Sequence, residues 1–169
     1  YRTTMNRHKP MGFLCSESHY DAALKIAQAG IVLLKNGQWK MDNGKWAAPL
    51  LPLDLSKMKR ILVVGENAIK MMTVGGGSSS LKVQKEILPL DGIRARLNAQ
   101  SSNLNAQSPT LDYVRGYVGD TVQSYNGVTV GRSLYETRSQ EELTAEAVAK
   151  AKDADIVIFI GGLNKSNHQ

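Results

Sequence analysis

One cysteine in 169 residues, Cys15, excludes an intrachain disulfide and any cysteine-rich metal site, and it leaves the redox compartment open. Histidine is almost as scarce. His8, His19 and His168 lie far apart without ligand spacing, so no metal site is expected. No apolar run approaches the length needed to cross a bilayer. The first residues, Tyr1 to Pro10, are polar and basic and show no signal-peptide pattern. Aromatic residues make up only 6% of the chain, and no aromatic–basic cluster accompanies the formal charge of +6. The scattered lysines and arginines offer nucleic acid no continuous track, so nucleic-acid binding is not expected. A segment of a larger protein need not balance its own charge. What remains is ordinary: 42% hydrophobic and 21% charged residues in a length that suits one medium domain.

Residues 1–16 read as an extended arm with no apolar period. Ser16 is a helix N-cap, with Glu17 in the first turn where the helix dipole favours a carboxylate. Ala22, Ala23, Ile26, Ala27, Gly30, Ile31 and Leu34 then recur at helical spacing, and Lys35-Asn36-Gly37 reads as the stop. Trp39 and Trp46 lie in a loop, Gln38 to Pro52, that suits a short hairpin or a packed cover.

Ile61-Leu62-Val63-Val64-Gly65 is a continuous apolar run ended by glycine, which predicts a strand buried on both faces of a parallel sheet. The stretch Gly75 to Ser80 reads as loop. A helix is predicted from Pro89 to about Leu97, a loop from Asn98 to Pro109, and a second core strand from Thr110 to Val118. Val122 to Val130 reads as a hairpin turning at Asn126-Gly127. Ser139 with Glu142 forms a capping box for a helix whose apolar face is Leu143, Ala147, Val148 and Ala151. Ile156 to Ile160 is a third buried strand. The alternation predicts an α/β fold, a doubly wound and mostly parallel sheet of flavodoxin-like type, with strand order 2-1-3 and the 61–65 strand in the middle.

In such sheets ligands collect at the carboxyl ends of the strands. Three segments are therefore candidates: Glu66-Asn67-Ala68 with the glycine loop, Gly116 to Gly119, and Gly161 to Gln169. The glycine loop invites a phosphate, but its spacing argues otherwise. Nine residues lie between Gly65 and Gly75 where a dinucleotide fingerprint has glycines at once, and Gly77 is followed by serines rather than Lys-Ser/Thr. Cys15 has no assignable histidine partner, and the serines lack a nucleophile-elbow pattern. Glu17, Asp21, Asp91, Glu141, Glu142 and Asp155 read as capping or solvated helix charges, which leaves Glu66 as the single acid at a strand's carboxyl end. On residues alone a nucleotide- or sugar-binding module and an interaction domain whose glycine loop docks a partner both stay open.

Several segments in order resemble one family. Gly30-Ile-Val-Leu-Leu-Lys-Asn36, Leu51-Pro52-Leu53, Ile61–Gly65 with Asn67-Ala68, Gly75–Ser79, Pro89–Ile93 and Ala149 to Gly161 are similar to the C-terminal α/β sandwich domain of family 3 glycoside hydrolases. The resemblance implies residues 1–16 as an interdomain linker arm and 17–169 as the first, truncated part of that domain. It implies a retaining exo-acting β-glycosidase, foremost a β-glucosidase, acting on a β-linked glucoside or oligosaccharide. A preceding barrel domain would be this chain's partner and would supply the nucleophile, while an acid/base glutamate would follow the strand Ile156–Ile160, past Gln169. No catalytic residue and no cofactor is then assigned to this sequence. The positions expected to border the sugar are Glu66, Asn67, Gly75, Gly76, Gly77, Ser78 and Ser79, together with Asn164, Lys165, Ser166 and His168. An unpaired sheet edge is expected to favour self-association. Export of many family members points to a periplasmic or secreted parent.

The spacing generates a test. Titration with ATP or NAD is expected to show no binding tighter than millimolar by calorimetry; micromolar affinity abolished by Gly76→Val would contradict it.

Overall fold

The computed structural model describes residues 12–40, 43–71, 83–104, 108–117, 119, 124–125, 128–129 and 136–162. The chain divides into two compact units, residues 1–52 and 53–169.

The first unit holds helix α1 (Glu17–Gly30) and the antiparallel pair β1 (Trp39–Lys40) and β2 (Trp46–Ala47). Ser16 caps α1 as its sequence suggests, and the tryptophan loop does form a hairpin. The helix ends at Gly30, four residues before Leu34, and Ile31 is already extended at φ −76° and ψ 126°. The period alone did not reveal this end. No residue of α1 is buried, a helix this short is marginal without packing, and the β-branched pair Ile31-Val32 favours extended backbone. Asn36 is therefore not a helix end. Its amide clasps the backbone of Leu51, with Nδ2 donating to the carbonyl at 2.7 Å and Oδ1 accepting from the N–H at 2.9 Å.

The second unit is built on a parallel sheet of three strands: β3 (Arg60–Val64), β4 (Thr110–Val114) and β7 (Ile156–Phe159). Their order is β4-β3-β7, with Ile61 level with both Leu111 and Ile156. The expected 2-1-3 arrangement is thus present. Helix α2 (Pro89–Leu104) and helix α3 (Gln140–Ala151) join the strands. A small hairpin, β5 (Ser124–Tyr125) with β6 (Val128–Thr129), sits between β4 and α3 in sequence; its turn, Asn126-Gly127, lies outside the described residues.

Strand alternation gives β3 two cores. Leu62 and Val64 pack with Val114 beneath Ala147, Ala151 and Ala154. Val63 faces the other way, to Leu90 and Ala68, ringed by Ile93, Leu111, Tyr113 and Ile158. Each such apolar side chain contributes about 1.5–3 kcal/mol of burial, so β3 dominates the stability of the unit. Gly65 ends it with φ +123°, and a Cβ there would run into the carbonyl of Ile160.

In this second unit other boundaries and faces also differ from the sequence expectation. Helix α2 runs to Leu104 rather than Leu97, because Asn98 to Gln107 contains polar residues but neither glycine nor proline to stop it. Strand β4 stops at Val114, before the left-handed Gly116. Val148 is exposed while Leu143 is fully buried, so the face of α3 is narrower than read. β7 is half-open: Val157 and Phe159 are exposed because α3 covers β3 and β4.

Asp155 is no solvated helix charge either. Its Oδ2 accepts from the backbone N–H groups of Lys59 and Arg60 at 2.6 and 2.8 Å, and its own N–H donates to the Arg60 carbonyl at 2.9 Å. This clamp sets the register of β7 on β3. The N–H bonds of Lys59 and Arg60 hold the carboxyl below its ordinary value of 3.8. A lowered folded-state value means stabilisation that is complete above about pH 4 and lost as the pH falls further. Asp155→Ala is expected to melt at a lower temperature than the parent at pH 7, with the gap narrowing below pH 4; thermal unfolding across that range checks both.

Candidate functional site at the carboxyl ends of the strands

Where β3 ends, a polar turn enters the interior. Residues Glu66–Ala68 form one turn of 3-10 helix, and Glu66 is 0% exposed. A carboxylate so placed must be paired. Arg115, just past β4, meets Oε2 through Nη2 at 2.7 Å, and Lys70 stands 3.7 Å from Oε1. Both cations are themselves buried. Arg115 reaches on to Glu136 at 4.0 Å, so two acids balance two bases. The Glu66 N–H donates to the Tyr117 hydroxyl at 3.2 Å. Gly119 lies against the Glu66 carboxylate so closely that a Cβ would overlap it.

The network continues outward from Glu136. Arg138 grips it at two points, Nη2 to Oε2 at 2.8 Å and Nε to Oε1 at 2.9 Å, and reaches Glu146 of α3 at 2.6 Å. The Arg138 hydrogen bonds hold Glu136 down at about 2. Tyr113 borders the same hollow, of about 220 Å³, which Ile69, Arg115, Glu136, Arg138 and Glu146 also line. Burial pushes its phenol up to about 12. On the α2 side a second hollow of about 350 Å³ is lined by Leu53, Ile61, Ile93, Leu97 and Ile158, and among the described residues Arg96 is the one charged group that lines it.

Three loops therefore meet, as the strand-end rule expects. Asn67 donates through Nδ2 to the Gly162 carbonyl at 3.2 Å, beyond β7, and Tyr117 stacks obliquely on Phe159 with ring centroids 6.0 Å apart. Of the expected sugar-bordering positions, Glu66 and Asn67 come together here, both buried. Gly75, Gly76, Gly77, Ser78, Ser79, Asn164, Lys165, Ser166 and His168 lie outside the described residues. The sequence reading reached Tyr117 only within the segment Gly116 to Gly119 and missed Lys70, Arg115, Glu136 and Arg138. Lys70 was signalled by its four-residue spacing from Glu66; the others join through the fold. Among the described residues no cluster of His, Cys, Asp and Glu could hold a metal, and no helix is long and apolar enough to cross a membrane.

A family model described as the glycosyl hydrolase family 3 C-terminal domain matches residues 31–169. The chain belongs to that family. Beta-glucosidase BoGH3A of Bacteroides ovatus is 45% identical across 100% of this chain, which spans 20% of that protein. A beta-xylosidase of Formosa agariphila is 27% identical over 87% of the chain and 16% of its own length. A beta-glucosidase of Rhizobium radiobacter is 35% identical over 46% of the chain and 8% of its length. The chain thus spans a fifth or less of these curated relatives. The α/β architecture described above is of this domain's type.

In this family 3 domain the buried ion network has a measurable cost if broken. Arg115→Met would take the 2.7 Å arginine partner from the buried Glu66 carboxylate, and a loss of about 3–5 kcal/mol is expected in urea unfolding. Adding Glu66→Gln to it should recover part of the loss, because the stranded charge is removed. A loss below about 0.5 kcal/mol would mean the pair is not buried as described.

Proposed function

We propose that this domain flanks the sugar-binding site of a retaining, exo-acting β-glycosidase, foremost a β-glucosidase, that removes terminal β-linked sugars. The observation that carries the reading is the 45% identity, over the whole chain, to a protein named as a beta-glucosidase. Retention needs two carboxyl groups about 5 Å apart across the sugar, one as nucleophile and one as proton donor. The described acids at the strand ends supply no such pair, since Glu66, Glu136 and Glu146 are bound by Arg115, Lys70 and Arg138. None of these described acids is therefore assigned as catalytic; on the family resemblance the nucleophile is assigned to a partnering barrel domain and the proton donor to a position after β7, past Gln169.

In this reading residues 1–16 are the arm arriving from that barrel, and 17–169 belong to the sandwich domain. Gly75–Ser79 and Asn164–His168 are proposed to border the sugar, together with the buried pair Glu66 and Asn67. The outer edge of β7 is the proposed place for pairing with a further strand or a second copy.

The assay is release of nitrophenol from a panel of aryl β-glycosides. The isolated chain is expected to give no turnover above background, and the complete polypeptide carrying this domain to hydrolyse β-glucosides. Turnover by the isolated chain, lost on Glu66→Gln, would overturn the assignment.

A further inference from the structure

Asn67 belongs to the turn after β3, yet its amide works on the chain that leaves β7. The Nδ2 group donates to the Gly162 carbonyl at 3.2 Å across a sequence separation of 95 residues. The turn that carries it has little freedom. Ala68 is fully buried in the core against Val63 and Leu90, and Glu66 is clamped by Arg115 and Lys70. On the far side the chain is held as far as Ile160, whose N–H donates to the Val64 carbonyl at 2.8 Å. Beyond it come Gly161 and Gly162, which have no side chains with which to pack. The Asn67 amide ties them back to the sheet. It does so out of water: Asn67 is 8% exposed, and its Oδ1 is buried without a partner among the described residues. A hydrogen bond made there is not readily replaced by solvent.

We propose that Asn67 is a positioning residue that sets the direction in which the chain departs after Gly162, and through it the placement of the glycosidase's proton donor. The first half stands on the geometry alone. The second half rests on the reading above, in which the donor follows β7. In the first chemical step that donor gives its proton to the glycosidic oxygen as the carbon–oxygen bond breaks and the nucleophilic carboxylate bonds to the anomeric carbon. In the second it takes a proton from the water that displaces the carboxylate. A displacement of about 1 Å in such a group costs about 100-fold in rate. Asn67 touches no reacting atom; it acts on where the donor stands.

The test uses the complete polypeptide, with Asn67→Ala and Asn67→Asp, which as a carboxylate cannot donate to Gly162. Both variants are expected to lower kcat/KM about 10- to 100-fold on phenyl β-glucoside, whose leaving group needs a proton. On dinitrophenyl β-glucoside, whose leaving group needs none, kcat/KM should stay within about twofold of the parent. Amide hydrogen exchange should rise in the peptide that follows β7 and not in the peptide over β4. An equal fall on both substrates, exchange raised throughout, or exchange unchanged after β7 would each overturn the proposal. A parent protein with no activity on any β-glycoside would contradict the glycosidase reading instead, and the exchange pattern would then decide the tether by itself.

Discussion

Strand β3 has no side that faces water. Its two edges are taken by β4 and β7, and its two faces by the α2 and α3 layers. Whatever polar group follows it must find its partner inside the protein, since an unpaired buried charge or amide costs several kcal/mol. The chain meets most of this demand in the five residues after Gly65, although the Asn67 Oδ1 has no partner among the described residues. Glu66 takes Arg115 and Lys70, its N–H takes Tyr117, and Asn67 takes Gly162. These partners come from the ends of β4 and β7 and from the turn itself. Pairing forced by burial is thus also what draws the three loops to one place.

The same constraint explains two glycines. The carbonyl of Ile160 comes so near Gly65 that only a residue without Cβ fits, and the Glu66 carboxylate leaves equally little room at Gly119. At the opposite end of the sheet the Asp155 carboxylate performs the matching task, tying the start of β7 to the start of β3. A strand fixed at both ends is a stiff platform. Stiffness suits a domain whose proposed part in catalysis is to present loops to a sugar held largely by other residues.

Much of this was legible in the sequence where the signal is local. Ile61–Val64 reads as a doubly buried strand because no polar residue interrupts it, and Ser139 with Glu142 announces α3 because a cap is satisfied within four residues. The tryptophan hairpin followed for a similar reason. Non-local pairing was not legible. Arg115 lies 49 residues from Glu66, and Asp155 lies 95 from Arg60, so neither advertises its partner. Helix ends were misjudged where no breaker exists: α1 stops for lack of packing, and α2 continues through polar residues. The open face of β7 could not be read from Ile156–Ile160, because whether an apolar strand is covered depends on which helix lies above it.

The central claim is that this family 3 domain borders a glycosidase site without supplying its nucleophile. The direct measurement is to inactivate the complete polypeptide with a slow fluoro-sugar glucoside, digest it, and find the labelled peptide by mass spectrometry. A retaining nucleophile keeps the sugar as a covalent ester. The account requires that ester on a carboxylate outside residues 1–169. A label within them, on Glu66 or on any other acid of this chain, would contradict it.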